Sequence, residues 1–367
     1  MITFMKKLQI VVVIIVSFIV PFLLAWYVLD AIEPSIGANL DVTDILVALF
    51  LFLIFSVGSY YLNVFMHEIG HLILGLFCGF SFVSLRFGKV TIIKSNGRYS
   101  VKKYKISGTA GQCLMCPPPN KVSTFGILAY NYGGALFNLV IGILSFALLF
   151  VTSNYYFILP LIFSLFFFFI SGMPVKFLNI QPDGYLALEL IKSEDLRTKW
   201  ENILIINRNL TNGFRLNEMS KELFDDSLEI EKINDIYCMT LLASASRHMD
   251  DMLFDKAERL YDYLLSVSTS TIYENEVLCE ALFINILKDK DCANVDTLFE
   301  KAYPYIEMNS WHPAKQRILF AYYFLHKKDD SKAQDCLLKF QNVLHSYPLL
   351  GEVRSERELV KYINSLA

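Results

Sequence analysis

Apolar residues crowd into positions 8–180 of this 367-residue chain, and charged residues into positions 190–367. Four apolar runs in the first half reach the length of about 20 residues that a helix needs to cross a bilayer. They cover residues 8–29, 45–80, 125–151 and 156–175, and positions 166–169 are all Phe. The second run exceeds one upright crossing, so it is expected to tilt, to kink near Gly58, or to extend beyond the hydrocarbon. The first is read as a retained anchor, since no small-x-small cleavage site follows it.

Between the second and third runs the pattern changes. Residues 81–94 and 98–106 are rich in Val, Ile, Tyr and Phe, and Asn96-Gly97 separates them. That dipeptide between β-prone segments predicts a hairpin over about residues 81–107. Beyond residue 193 glycine is scarce and apolar residues recur at helical spacing. Helices are expected to start near Asn234, Met252, Thr271, Val295, Pro313 and Ser331. In pairs they make three helical hairpins with a period of roughly 40 residues, in the manner of a tetratricopeptide-like array or α-solenoid. The expected fold is therefore mainly α. A polytopic membrane helix bundle with a small β-hairpin occupies residues 1–192, and a cytoplasmic α-helical domain occupies residues 193–367.

Composition agrees with this division. Hydrophobic residues make up 54% of the chain and charged residues only 19%, below the share usual in soluble proteins. Residues 30–44 carry Asp30, Glu33, Asp41 and Asp44 and no Lys or Arg, whereas residues 81–123 carry eight basic residues and no acid. The positive-inside rule places the basic loop in the cytoplasm. With four spans, both termini lie there too, in a bacterial cell membrane. The net charge of −3, with no basic face in the second half, argues against a nucleic-acid partner. Cys238, Cys279, Cys292 and Cys336 lie in that half and are read as reduced thiols. Cys113-x-x-Cys116 stands alone and is a weak signal for metal or redox chemistry.

Late in the second apolar run comes His67-Glu68-Ile69-Gly70-His71. Two imidazoles and a carboxylate are costly in hydrocarbon and imply a function. Histidines four apart share one helix face and can grip one ion. Glu68 lies about 100° around the helix from His67, placed to take a proton from water as a general base. The ion expected at an H-E-x-x-H site is Zn2+, and a catalytic zinc usually has three protein ligands. Between residues 45 and 190 the only acids are Glu68, Asp183 and Glu189. Asp183, at the chain break Pro182-Asp183-Gly184, is the candidate third ligand, with a helix N-cap as its plain alternative. Glu189 is the weaker candidate. In the third run, Asn138 is a buried amide. It either meets the substrate carbonyl and developing oxyanion or makes an interhelical hydrogen bond.

In this order, His67-Glu68-Ile69-Gly70-His71, Gly133-Gly134-Ala135-Leu136-Phe137-Asn138 and Pro182-Asp183-Gly184 resemble the motifs of site-2 protease-type intramembrane metalloproteases, over about residues 45–192. The resemblance implies a zinc enzyme that cleaves membrane-embedded or membrane-adjacent peptides. It implies His67, His71 and Asp183 as ligands, Glu68 as base and Asn138 near the scissile carbonyl. One departure is the spacer. The family usually shows N-x-x-P, four residues, then D-G. Here Ser171-Gly172-Met173-Pro174 precedes Asp183 by eight residues, or else Asn179-Ile180-Gln181-Pro182 abuts it.

The expected activity is zinc-dependent intramembrane endopeptidase action on single-span proteins, signal-peptide remnants or pheromone precursors. A strand edge of the hairpin would catch an unwound substrate segment, or the hairpin would merely rest its lysines on anionic lipid. The helical domain would bind a regulator or a substrate tail. Two rival readings are a non-catalytic membrane scaffold acting through the helical domain, and an unrelated membrane zincin whose third ligand is Glu189.

Overall fold

The computed structural model describes residues 41–104, 109–176, 181–228, 234–267, 271–288 and 292–366. The chain is mainly helical, with one small antiparallel sheet. It divides into two units. One comprises residues up to Phe80 with Pro118–Lys192, and the other Ser81–Pro117 with residues from Ser193 onward.

In the first unit, α1 (Val42–Phe77) packs against α2 (Thr124–Thr152), and both pack against the shorter α3 (Ile158–Gly172). A short fourth helix, α4 (Asp183–Lys192), returns to α2 and α3. Ser123 starts α2 by accepting the Gly126 N–H on its Oγ, and Ser153 ends it at φ +50°. Within α1, Leu49–Phe77 is apolar and long enough to cross a membrane, as is all of α2. On α1 every residue from Leu49 to Phe55 is exposed, so this helix presents an apolar outer surface.

The expectation of four spans is met in part. Two helices among the described residues have the required length. The 15 residues of α3 rise only about 22 Å, against a hydrocarbon thickness of about 30 Å. The run at 8–29 lies outside the described residues. Gly58 does not interrupt α1, which is assigned as one helix through it.

In the second unit, β1 (Ser81–Phe87), β2 (Val90–Ser95), β3 (Arg98–Lys103) and β4 (Gly111–Cys116) form a sheet in the order β3-β2-β1-β4. The expected hairpin is β2–β3. Ser95 pairs with Arg98 across Asn96-Gly97, which both have positive φ, +48° and +79°, as a type I′ turn demands. The segment expected as one strand over 81–94 is folded in two. Gly88, at φ +56°, turns the chain so that Phe87 pairs with Val90. Cys113 and Cys116 fall three apart on β4 and so point to opposite faces, which disfavours a two-thiol site. Arg86 is buried and ties the sheet to the following loop by donating to Thr109 O and Gly111 O at 3.0 Å each.

Sequence position grouped these strands with the membrane half. Their hydrogen bonds run instead to the C-terminal helices. Ser95 Oγ donates to Thr211 O (2.9 Å), the Asn96 N–H to Asn212 Oδ1 (2.9 Å), and Lys102 Nζ to Tyr347 O (2.9 Å). Those helices are α5 (Glu194–Thr211), α6 (Asp235–Asp250), α7 (Phe254–Ser266), α8 (Thr271–Leu287), α9 (Cys292–Met308), α10 (Pro313–Ala321), α11 (Asp330–Ser346) and α12 (Leu350–Ser365). The starts of α6 to α11 lie within three residues of the six expected, and capping explains several. Asn234 accepts from Ile236 and Tyr237 at the head of α6, and Asp329 from Lys332 at the head of α11. The final helix α12 packs on α10 and also back on α5 and α6.

The interior of this unit holds paired charges as well as apolar side chains. Arg317, almost fully buried, bonds both oxygens of Glu280 (2.9 and 2.8 Å) and Glu356 (2.7 Å), with its guanidinium 4.0 Å from the Phe283 ring centre. Beside them lies Glu352, 2.9 Å from the Tyr347 hydroxyl. Burial, and then the charge of Glu356, push its carboxyl up to about 8 from an ordinary 4.5. The folded chain thus holds this proton more tightly than the unfolded chain. The associated stability is complete below about 4.5 and is lost as pH rises through about 8. Glu352→Gln is neutral throughout, so its melting temperature should fall less than that of the wild type across this window. Thermal unfolding of the detergent-solubilised protein at stepped pH measures it, and parallel curves would contradict the assignment.

Candidate metal centre

The site lies wholly within the first unit, and glycines create it. A Cβ built on Gly70 would stand 2.2 Å from Gly133 O, and one on Gly133 would stand 2.6 Å from Gly70 O. Only glycine lets α1 and α2 touch backbone to backbone there. One residue on, a Cβ at Gly134 would fall 2.3 Å from Cε1 of the His67 ring. The bare backbone of Gly134 therefore provides the floor on which that imidazole lies.

Helical spacing puts His67 and His71 on the same face of α1, and each ring is tied from behind. His71 Nδ1 lies 2.7 Å from Tyr130 O, a backbone carbonyl that can only accept, so this nitrogen carries the proton. His67 Nδ1 lies 2.8 Å from Asn138 Oδ1. The orientation of that amide is settled at its other end, where Asn138 Nδ2 donates to Asn63 O (2.9 Å) and to Asn63 Oδ1 (3.0 Å). Its oxygen therefore faces His67, whose Nδ1 also carries a proton. In the neutral rings both Nε2 atoms then present lone pairs, and they face each other at 3.0 Å.

Asp183 completes the group. A Cβ on Gly184 would lie 2.3 Å from Gly172 O, so the head of α4 sits directly against the end of α3. This close approach places Asp183 Oδ2 at 3.2 Å from His67 Nε2 and 3.5 Å from His71 Nε2. Ser171 Oγ donates to the same oxygen. Asp183 is the first residue of α4, and its carboxylate faces the imidazoles rather than capping the helix.

His67, His71 and Asp183 form a group able to hold a metal ion. The separations fit one. Two ligand atoms each about 2.0–2.1 Å from a tetrahedral zinc lie ~3.3 Å apart, and the three observed separations are 3.0, 3.2 and 3.5 Å. The donor set, two imidazoles and a carboxylate, also suits zinc. Glu68, next to His67 on α1, is buried. Glu189 is paired with Lys192 at 3.4 Å and lies outside the group, which counts against it as third ligand.

Four contributors escaped the sequence reading. Asn63, fully buried, lies one turn before His67 on the same helix face. An amide there in an apolar run was a usable signal. Ser164 donates to Asn63 Oδ1 at 2.7 Å, and Ser171 supports Asp183, but isolated serines in apolar helices carry little information. Tyr130 contributes a main-chain carbonyl, which leaves no trace in side-chain chemistry. Asn138, expected either at the substrate carbonyl or in an interhelical hydrogen bond, donates to Asn63 O and Asn63 Oδ1 and turns its oxygen to His67.

No protein-family model, curated protein or solved structure matches this chain.

Gly70→Ala should force α1 and α2 apart, at a cost of about 1–3 kcal/mol. The expected outcome is a lower melting temperature in detergent and weaker uptake of divalent metal in a chelator competition. Wild-type values on both counts would contradict the close-crossing account.

Proposed function

We propose that this protein is a zinc-dependent intramembrane endopeptidase of the site-2 protease type. The observation that carries this reading is the convergence of His67 Nε2, His71 Nε2 and Asp183 Oδ2 within 3.5 Å of one another. With both rings neutral and protonated at Nδ1, three acceptors aimed at one point are the arrangement that a metal ion can share, and they lie between helices long and apolar enough to cross a membrane.

His67, His71 and Asp183 would hold the ion. When bound, zinc supplies Lewis acidity toward a peptide carbonyl and toward water. Glu68 is the general base. Its carboxylate takes the proton of the attacking water and returns it to the nitrogen of the departing amine. The apolar walls of α1 and α2 exclude bulk water and select peptides that are themselves apolar. The substrate class is accordingly a membrane-embedded or membrane-adjacent segment, such as a single-span protein, a signal-peptide remnant or a pheromone precursor. β3, an outer strand exposed from Arg98 to Val101, offers an edge to which an unwound segment can add. The helices of the second unit are assigned to a cytoplasmic regulator or a substrate tail.

Metal analysis and peptide cleavage by the purified protein test this together. Glu68→Gln should retain zinc and lose cleavage, by a factor of about 10²–10⁴ if base catalysis is its only contribution. His67→Ala and Asp183→Ala should lose both, whereas Glu189→Ala should keep its zinc. Comparing membrane peptides from cells carrying wild type and Glu68→Gln would identify substrates. Undiminished cleavage by Glu68→Gln would refute the mechanism.

A further inference from the structure

Asn138 contributes more than an interhelical contact. We propose that it is a positioning residue, held by Asn63 and Ser164, that locks His67 in the one tautomer able to bind a metal. The proposal takes its metal from the reading above, but the tautomer follows from the hydrogen bonds alone.

The chain of bonds has one consistent polarity. Asn63 O is a main-chain carbonyl and can only accept, so Asn138 must turn its NH2 toward it, at 2.9 Å. Asn63 Oδ1 takes the second amide hydrogen at 3.0 Å. Asn63 keeps its own amide oriented by donating from Nδ2 to Ser59 O at 3.0 Å, while Ser164 Oγ donates to its Oδ1 at 2.7 Å. Every member is buried, with Asn63, Asn138 and Ser164 at 0% exposure. In such surroundings an amide flip would set oxygen against oxygen and leave two buried acceptors without a donor, each a cost of about 1–3 kcal/mol. Asn138 Oδ1 is therefore fixed toward His67 Nδ1, which must carry the proton and leave Nε2 as the lone pair. Partners behind a ligating histidine act in this way, fixing ring orientation and tautomer.

The same accounting removes Asn138 as an oxyanion donor. Its NH2 has two hydrogens, and both are taken. A residue needed to donate to a substrate oxygen would have to break a buried bond to do so. His71 receives the equivalent support from Tyr130 O, which a side-chain substitution leaves in place. Of the two histidines, His67 is thus the one whose orientation depends on a side chain.

Two measurements on the full-length protein in detergent test this. The first uses 15N-histidine labelling of the metal-free protein at alkaline pH, with His67 identified by its loss in His67→Ala. The expected result is a His67 ring protonated at Nδ1 in the wild type, and a mixed or Nε2-protonated ring in Asn138→Leu. The second is zinc affinity by competition with a chromophoric chelator, where Asn138→Leu should bind about 10–100-fold more weakly. An Nε2-protonated His67 in the wild type overturns the proposal. So does an Asn138→Leu protein with unchanged tautomer and zinc affinity within about twofold of wild type, because that result returns Asn138 to the substrate. The wild-type spectrum needs no variant, so it decides the matter even where Asn138→Leu does not fold. Absence of zinc binding by the wild type, with the tautomer result as expected, would sink the protease reading while upholding the lock.

Discussion

Lone pairs on His67 Nε2, His71 Nε2 and Asp183 Oδ2 are held within 3.5 Å of one another. Acceptors at such range repel, and in a medium of low dielectric the repulsion is screened little. A protein keeps such a group only if something positive is to sit among it, or if the surrounding structure is strong enough to bear the strain. Both conditions are addressed by the same elements here. The bonds behind the rings, from Nδ1 to Tyr130 O and Asn138 Oδ1, prevent either imidazole from rotating to escape. The glycine contacts at 70/133 and 172/184 bring the three elements close enough for the group to exist.

This dependence explains the placement of polar residues in the first unit. Asn63, Asn138 and Ser164 are fully buried among apolar helices, where isolated polar groups cost several kcal/mol each. They are tolerated because they satisfy one another in a closed chain that ends on His67. The outer surfaces of α1 and α2 carry almost no such groups, in keeping with a lipid exterior on the proposed reading.

Much of this was legible in the chain, for identifiable reasons. The histidines could be paired because helical geometry is local and a four-residue spacing has one outcome. Asp183 could be found because the apolar half contains so few acids that elimination nearly sufficed. The Asn96-Gly97 turn was readable because two adjacent positive φ values leave few residue choices, and the heads of α6 and α11 because Asn234 and Asp329 cap them. What was not legible depends on partners distant in sequence. The turn at Gly88 divides a continuous apolar stretch that reads as one strand. The packing of Lys102 and Tyr104 against Tyr347 joins segments more than 200 residues apart. Asn138 read equally well as an oxyanion donor or an interhelical bond, because its role is set by the Asn63 carbonyl across the helix interface. The length of α3 was overestimated because its apolar composition continues past the point where the helix ends.

The unusual spacer before Asp183 has a structural resolution. A ligand carried on a loop would move with each residue added to or removed from that loop. Asp183 is not carried in that way. It is the first residue of a helix whose second residue, Gly184, rests against the main chain of Gly172 at the end of α3. The contact between those two glycines sets where α4 begins, and Ser171 on the same turn steadies the carboxylate. Loop-closure cost grows only with the logarithm of length, so a spacer of different length can join the same two glycines at little penalty. What positions the Asp183 carboxylate is therefore the close approach of Gly184 to the main chain of Gly172, two residues lacking a Cβ on either side of the loop.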